Sequence, residues 1–277
     1  MNARLPRSAT DCTPESIGSL LKSWRSHRRL SQLDLALDVG VSPRHLSFVE
    51  TGRSRPSPEL LTSLAQRLEV PLRERNRLLL AAGYAPRYAE RKLDADAMEQ
   101  VRGALERLLA AHDPYPGVVL DRQWNVLLAN RAAAGLTTLL PPHLQTPHVN
   151  VIRAGLNPDG FARVTANFDD WGGHLIDVLQ REAAKTADSG LIELEREVHE
   201  YPNVRALCQR REHAPPPLPR LLVPFIVELP VGRMSLFTTR TFFGSPLDVT
   251  LEELCIELFY PADVASEALL RQLARSD

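Results

Sequence analysis

Residues 32–51 read Gln-Leu-Asp-Leu-Ala-Leu-Asp-Val-Gly-Val-Ser-Pro-Arg-His-Leu-Ser-Phe-Val-Glu-Thr, and no other stretch constrains the chain as much. Leu35, Ala36, Val39, Val41, Leu46 and Val49 supply apolar positions on one side of two short helices. Ala36 is small where those helices would cross, and Gly40 stands where the chain must turn with positive φ. Ser42 then Pro43 is an N-cap followed by proline at the first helical position, so a new helix starts there. Two helices joined by so tight a turn form a helix-turn-helix, whose second helix enters the DNA major groove.

The flanking sequence supplies more helices. Thr13-Pro14-Glu15 opens one with a cap, a proline and an acid, and Ile17, Leu20, Leu21 and Trp24 follow on one face. Ser31 caps the next, from Gln32 to Val39, and the candidate recognition helix runs from Pro43 to Glu50, ended by Gly52. Arg53-Ser54-Arg55-Pro56-Ser57-Pro58 is a basic loop, after which Ser57 caps a fourth helix with Leu60, Leu61, Leu64, Ala65 and Leu68 inside. Pro71 restarts a fifth, carrying Leu72, Leu78, Leu79 and Leu80. The expectation is a compact five-helix domain.

These residues resemble the XRE (Cro/repressor-like) family of DNA-binding domains: Arg25, Ser31-Gln32, Leu35-Ala36, Gly40-Val41-Ser42, Leu46-Ser47, Glu50-Thr51-Gly52, Pro56-Ser57 and Leu68, in that order. The resemblance implies that Gln32 binds a phosphate and that Ser42, Pro43, Arg44 and Phe48 face the groove. Arg44 can fork onto guanine O6 and N7, and Phe48 can meet a thymine methyl. Thr51, Arg53, Ser54 and Arg55 suit phosphate contacts, which position without specifying. His45 and Ser47 complete the candidate set. Three readings stay open: Gln32 could only cap its helix, Phe48 could pack locally, and His45 could be solvated. Glu50 would face the groove by its number, whereas the resemblance pairs it with Arg25 as an internal brace.

At 277 residues the chain is long enough for two domains. Its net charge of −1 hides a division: residues 1–92 hold 16 Lys and Arg against 9 Asp and Glu, and the remainder holds 17 against 25. A basic end on an acidic larger part fits a nucleic-acid module joined to something of another kind. Cys12, Cys208 and Cys255 form neither a CxxC pair nor a disulfide framework, which fits thiols in a reducing cytoplasm. Residues 1–14 lack the apolar region of a signal peptide and read as a flexible arm, and no apolar run approaches the roughly 18–20 residues of a membrane span. Cytoplasmic location without membrane contact is expected.

Beyond residue 92 the period changes. Asp94 to Ala111 is helical, with Met98, Val101, Leu105, Leu108 and Leu109 on one face, and could connect domains or serve dimerisation. Gly117–Asp121 and Trp124–Leu128 are β-like runs about an Asp121-Arg122-Gln123 turn, and Asn130 caps a helix from Ala132 to Leu140. Pro141–Pro147 reads as a loop. One long helical stretch from Asn157 carries Phe161, Val164, Phe168, Trp171, Leu175, Val178 and Leu179, and further helices run to about Cys208. Pro215–Pro219 is a stiff loop. Leu221–Leu229, Arg233–Phe243 and Glu253–Tyr260 then read as strands, and a helix from Asp263 closes the chain. Two strands, helices and three strands is the order of a PAS-type domain, an antiparallel sheet with helices over one face.

This half resembles the MmyB-like ligand-binding domain that follows an XRE head in many bacterial regulators. Residues 116–132, Asn150–Arg153, Asn167–Trp171 and Thr241–Thr250 carry the resemblance. It implies a transcription factor whose PAS-like cavity senses a small, apolar or fatty-acid-like ligand, with no cofactor required. Trp124, Trp171, Phe225, Phe237, Phe242 and Phe243 are the candidate lining residues, and Arg153 or His174 could anchor a carboxylate. An aromatic at helical or strand spacing is usually plain core, and that reading stays open for each. The alternative for the whole domain is that it holds no ligand and serves dimerisation or partner binding.

An enzyme is not expected. The eight histidines form neither HExxH nor a Cys/His metal set, and no GxSxG elbow, Walker A loop or GxGxxG turn occurs. Asp169-Asp170 and Glu252-Glu253 are adjacent and point apart. The expected fold is therefore an all-α five-helix lambda-repressor-like DNA-binding domain (15–85), a linker and connecting helix (86–112), and an α+β PAS-like domain (113–277). The expected partners are double-stranded DNA, read as an inverted repeat by a homodimer, and a small-molecule effector. Dimers would set two recognition helices about 34 Å apart.

Overall fold

Leu21, Leu35, Leu46, Leu61, Leu64 and Leu68, at helical spacings in four successive segments, are all essentially fully buried in one core. The computed structural model describes residues 16–213 and 221–276, and the chain divides into two units at Ala89/Glu90. The first unit holds α1 (Ile17–His27), α2 (Gln32–Asp38), α3 (Pro43–Glu50), α4 (Pro58–Arg67) and α5 (Leu72–Ala81). Ser16, Ser31, Ser42 and Ser57 cap the first four, each accepting a main-chain N–H with its hydroxyl. The expected cap at Thr13 lies outside the described residues, as does the 1–14 arm, and Ser16 takes the capping role. Gly40 has φ +73°, the left-handed turn between α2 and α3. On α5, Leu72, Leu78 and Leu79 are buried and Leu80 is 57% exposed.

The second unit begins with a short 3₁₀ turn (Asp96–Met98) and α6 (Glu99–His112). It continues with β1 (Gly117–Leu120), β2 (Val126–Ala129), α7 (Arg131–Thr137), α8 (Pro142–Gln145), α9 (Val151–Leu156), a 3₁₀ turn (Phe161–Val164), α10 (Phe168–Thr186), α11 (Ser189–His199) and α12 (Pro202–His213). β3 (Phe225–Leu229), β4 (Gly232–Thr241), α13 (Val249–Glu253), β5 (Cys255–Pro261) and α14 (Val264–Ser276) complete it. The five strands form one sheet in the order β2-β1-β5-β4-β3, every neighbouring pair antiparallel. The Pro215–Pro219 loop lies outside the described residues.

The sheet is apolar on both sides. Val118, Leu120, Cys255, Met234, Leu236 and Val227 pack with α10, α11 and α12 in the larger core. Val119, Leu254 and Ile256 pack with Leu105 and Leu109 of α6 in a second one. Coverage of one face only is therefore corrected: consecutive residues of β1 are buried on alternate sides, so each side needs a layer. α6, expected as a connector, is that second layer. The single long helix expected from Asn157 is also corrected. Thr165 bridges Val227, Ala166 N–H donates to the Ile226 carbonyl at 2.8 Å, and α10 starts only at Phe168. The chain exchanges helical hydrogen bonds there for pairing with the β3 edge.

Candidate nucleic-acid interface and ligand-domain interior

α3 projects from the first unit because its inner side is locked. Leu46, Val49 and Glu50 are buried, while Ser42, Pro43 and Arg44 are exposed and Ser47 and Phe48 are half-buried. Arg25 of α1 grips Glu50 with two parallel hydrogen bonds, Nε to Oε1 at 2.7 Å and Nη2 to Oε2 at 2.9 Å, and its Nη1 donates to the Leu30 carbonyl at 2.9 Å. Gln32 Nε2 donates to Glu50 Oε2 at 2.7 Å. Burial alone would raise the Glu50 carboxyl. The hydrogen bonds from Arg25 and Gln32, with the charges of Arg25 and Lys22, outweigh it and hold the group below the usual carboxylate range. Glu50 is therefore a brace and not a groove residue.

The outer side gathers cations. Arg44 and Arg53 both lie over the Phe48 ring, 5.4 and 5.9 Å from its centroid, and the Arg53 and Ser54 N–H groups donate to the Phe48 carbonyl. His45 is half-buried. Three candidates have internal partners that residue type did not reveal. The Gln32 amide is engaged by Glu50 and Ser31 caps α2 instead, which leaves Gln32 its other amide N–H. Thr51 Oγ1 donates to the Ser47 carbonyl at 2.7 Å. Arg55 turns back onto the end of α5, donating to the Gly83 carbonyl at 3.0 Å with its guanidinium 4.4 Å from the Tyr84 ring centroid.

In the second unit the candidate lining residues separate. Trp124, Trp171 and Phe225 are buried in the larger core. Trp171 and Phe225 stack at 5.1 Å, Phe161 meets Phe225 edge-on at 6.1 Å, and His174 lies 5.5 Å from Trp171. Burial, then the charges of Arg181 and Arg240, push the His174 pKa down against the pull of Asp177. The other three do not join this cluster. Phe237 stacks on Tyr260 at 5.3 Å, Phe242 is 56% exposed past the end of β4, and Phe243 packs on the α6 side. Arg153 is bound at both ends of its guanidinium edge to Glu197, with Nε and Nη2 2.8 and 2.7 Å from carboxylate oxygens, and Tyr201 donates to the same carboxylate at 2.6 Å. Glu197, 44 residues away, was invisible to local sequence reasoning.

Trp124 sits in the turn and not in a strand, at φ +69°. Asp121 Oδ1 accepts the Gln123 and Asn125 N–H groups at 2.8 and 2.9 Å, Oδ2 accepts Asn125 Nδ2, and the Trp124 carbonyl accepts Val151 N–H at 3.0 Å. So many bonds over-determine a conformation that a bulky residue rarely adopts. They hold the indole 5.2 Å from the Arg240 guanidinium. Arg240 is paired across the sheet with Glu257, which is 7% exposed and whose carboxyl is pushed up by burial, against the Arg240 charge and a Thr238 hydrogen bond. Neither Arg240 nor Glu257 was among the expected site residues. An inward arginine on a strand shows only once the register is known.

Residues 101–273 match the family described as MmyB-like transcription regulator ligand binding domain, and residues 21–75 match a helix-turn-helix family. The chain belongs to the MmyB-like transcription regulators. This MmyB-like regulator joins an XRE-type helix-turn-helix head to a ligand-binding domain, so it is a DNA-binding transcriptional regulator. No curated protein matches its sequence. Among the described residues of this regulator, no three His, Cys, Asp or Glu side chains gather to hold a metal ion, and no helix is long and apolar enough to cross a membrane.

Proposed function

We propose that this regulator reads its operator through α3, as a homodimer on an inverted repeat in the cytoplasm, and that a small effector in the second unit tunes that binding. One observation carries the reading: the buried Glu50, held by the half-buried Arg25 and Gln32, fixes the inner side of α3 while Arg44 stays exposed on its outer side. Rigid support behind an exposed guanidinium suits bidentate contact with guanine. Ser42, Pro43, Ser47 and Phe48 would share the groove, and His45 would lie at its edge. Thr51, Arg53, Ser54, Arg55 and the free amide N–H of Gln32 would meet phosphates.

Affinity measurements on a duplex selected by the protein, and on point variants of it, test this assignment. Arg44→Ala should weaken specific binding by about 1–3 kcal/mol and relax preference at one base pair. Arg53→Ala should weaken binding to all duplexes alike and lower the salt slope by about one. Unchanged discrimination by Arg44→Ala would remove Arg44 as a base reader.

The effector would be a small apolar or fatty-acid-like molecule lying along the face that carries Trp171 and Phe225. It acts only through differential affinity for DNA-competent and incompetent states. Native mass spectrometry of the purified protein checks this. A small mass that is retained under native conditions and lost on denaturation is expected. Finding none, with no thermal shift across acyl compounds, would favour a domain that serves only dimerisation or partner binding.

A further inference from the structure

α6 buries Leu105 and Leu109 against the sheet, and the opposite side of the helix carries Glu99, Gln100, Gly103, Glu106 and Arg107. These positions recur three and four apart, so they form one continuous outward strip. Glu99, Gln100, Glu106 and Arg107 are exposed and Gly103 lies half-buried between them. With Arg102 they line an open depression of about 570 Å³. Among the described residues, Glu99, Glu106 and Arg107 form no ion pair.

Gly103 has no reason within its own chain. It stands in mid-helix, where glycine is less stable than alanine because of the backbone entropy it loses. A Cβ there would meet only Nη1 of Arg107, at 3.3 Å, the movable tip of a long side chain. Gly18, by contrast, faces main chain at 2.3 Å. A glycine that the fold does not require keeps the helix surface low for something that approaches from outside.

The charges say what that is. Glu99 and Arg107 stand four residues to either side of Gly103, and Gln100 and Glu106 stand three. A second α6 can lie antiparallel over the first with the two-fold axis at Gly103. Glu99 of each copy then faces Arg107 of the other, and Gln100 faces Glu106, so each acid meets a base or an amide donor. The same strip aligned parallel would set Glu99 on Glu99, Glu106 on Glu106 and Arg107 on Arg107.

We infer that the outer side of α6 joins two copies of this chain as an antiparallel, two-fold helix pair centred on Gly103. This rests on the homodimer reading above and adds the surface that joins the copies. The 14 residues of α6 span about 21 Å, too little to bury the roughly 800 Å² per partner of a stable interface. The pair is therefore weak alone and sensitive to salt, and two heads bound to one operator reinforce it.

Sedimentation equilibrium of the full-length protein over a wide concentration range tests it. Wild type should be a reversible monomer–dimer whose dissociation constant rises with NaCl. Glu99→Arg and Arg107→Glu should each weaken self-association about tenfold, because like charges then face each other twice over. The chain carrying both changes should recover the dimer, and so should an equal mixture of the two single variants, because opposite charges face each other again. Gly103→Gln should weaken association about as much while its melting temperature holds or rises, since a mid-helix glycine is gone. Melting curves check that each variant folds. A wild-type dimer that none of these variants alters, or no recovery in the exchanged chain and the mixture, overturns the α6 surface and leaves the homodimer reading standing. Wild type that stays monomeric at every concentration also overturns it. One copy on an inverted-repeat duplex would then remove the homodimer reading as well, and two copies would keep it.

Discussion

Phe48 is half-buried on α3 with the guanidinium groups of Arg44 and Arg53 over its ring, 5.4 and 5.9 Å from the centroid, so its proposed part in recognition divides into two physical contributions. One is apolar contact with a base. The other is pre-organisation of Arg44 and Arg53, with each exposed cation–π contact worth about 0.5–1 kcal/mol. Phe48→Leu keeps the first and removes the second, and Phe48→Tyr keeps both. We expect Leu to weaken binding by about 1–2 kcal/mol on every duplex and Tyr to bind nearly as wild type, measured by fluorescence anisotropy. Leu matching wild type would leave the base contact as the whole role. Glu50 offers a second test, in pH. Its folded carboxyl lies below its unfolded value, so the stabilisation is complete above the unfolded pKa of about 4.3 and is lost as pH falls through the folded pKa. The gap in melting temperature between wild type and Glu50→Gln should be widest at neutral pH and narrow in acid. A gap unchanged to pH 3 would remove the Arg25–Glu50 charge from the account.

At the scale of elements, the head was legible because its instructions are local. Serine caps, the Gly40 turn and apolar positions three and four apart each specify one helix, and neighbouring helices need only meet. Gly18 escaped that reading because its reason is tertiary. A Cβ there would lie 2.3 Å from the Glu50 carbonyl oxygen, so α1 and α3 approach backbone to backbone. Gly18→Ala must force α1 and α3 apart, a strain of about 1–3 kcal/mol. A lower melting temperature together with weaker DNA binding is expected; unaltered values in both would show that α1 gives way freely. The second unit was legible in order but not in detail. Strand composition put Trp124 in β2, but a bulky residue at positive φ is held by Asp121 and Asn150, 29 residues apart, and no propensity records that. Arg153 looked available because its partner Glu197 is remote in sequence. Arg240 lies within the expected Arg233–Phe243 strand, but alternation alone cannot say which side of that strand faces inward.

For the whole molecule, the basic head and acidic remainder correspond to the two units, divided at Ala89/Glu90, within a few residues of where the charge changes sign. The match to a helix-turn-helix family falls in the first unit and the ligand-binding match in the second. The central claim is that this regulator reads DNA sequence through α3 as a symmetric pair. Selection of duplexes from a randomised library by the full-length protein tests it most directly. The account predicts enrichment of an inverted repeat with half-sites about 10 base pairs apart, centre to centre, and a guanine in each half-site whose enrichment disappears with Arg44→Ala. A library that shows no enriched sequence, or one whose enriched sequence is the same for Arg44→Ala, would contradict it.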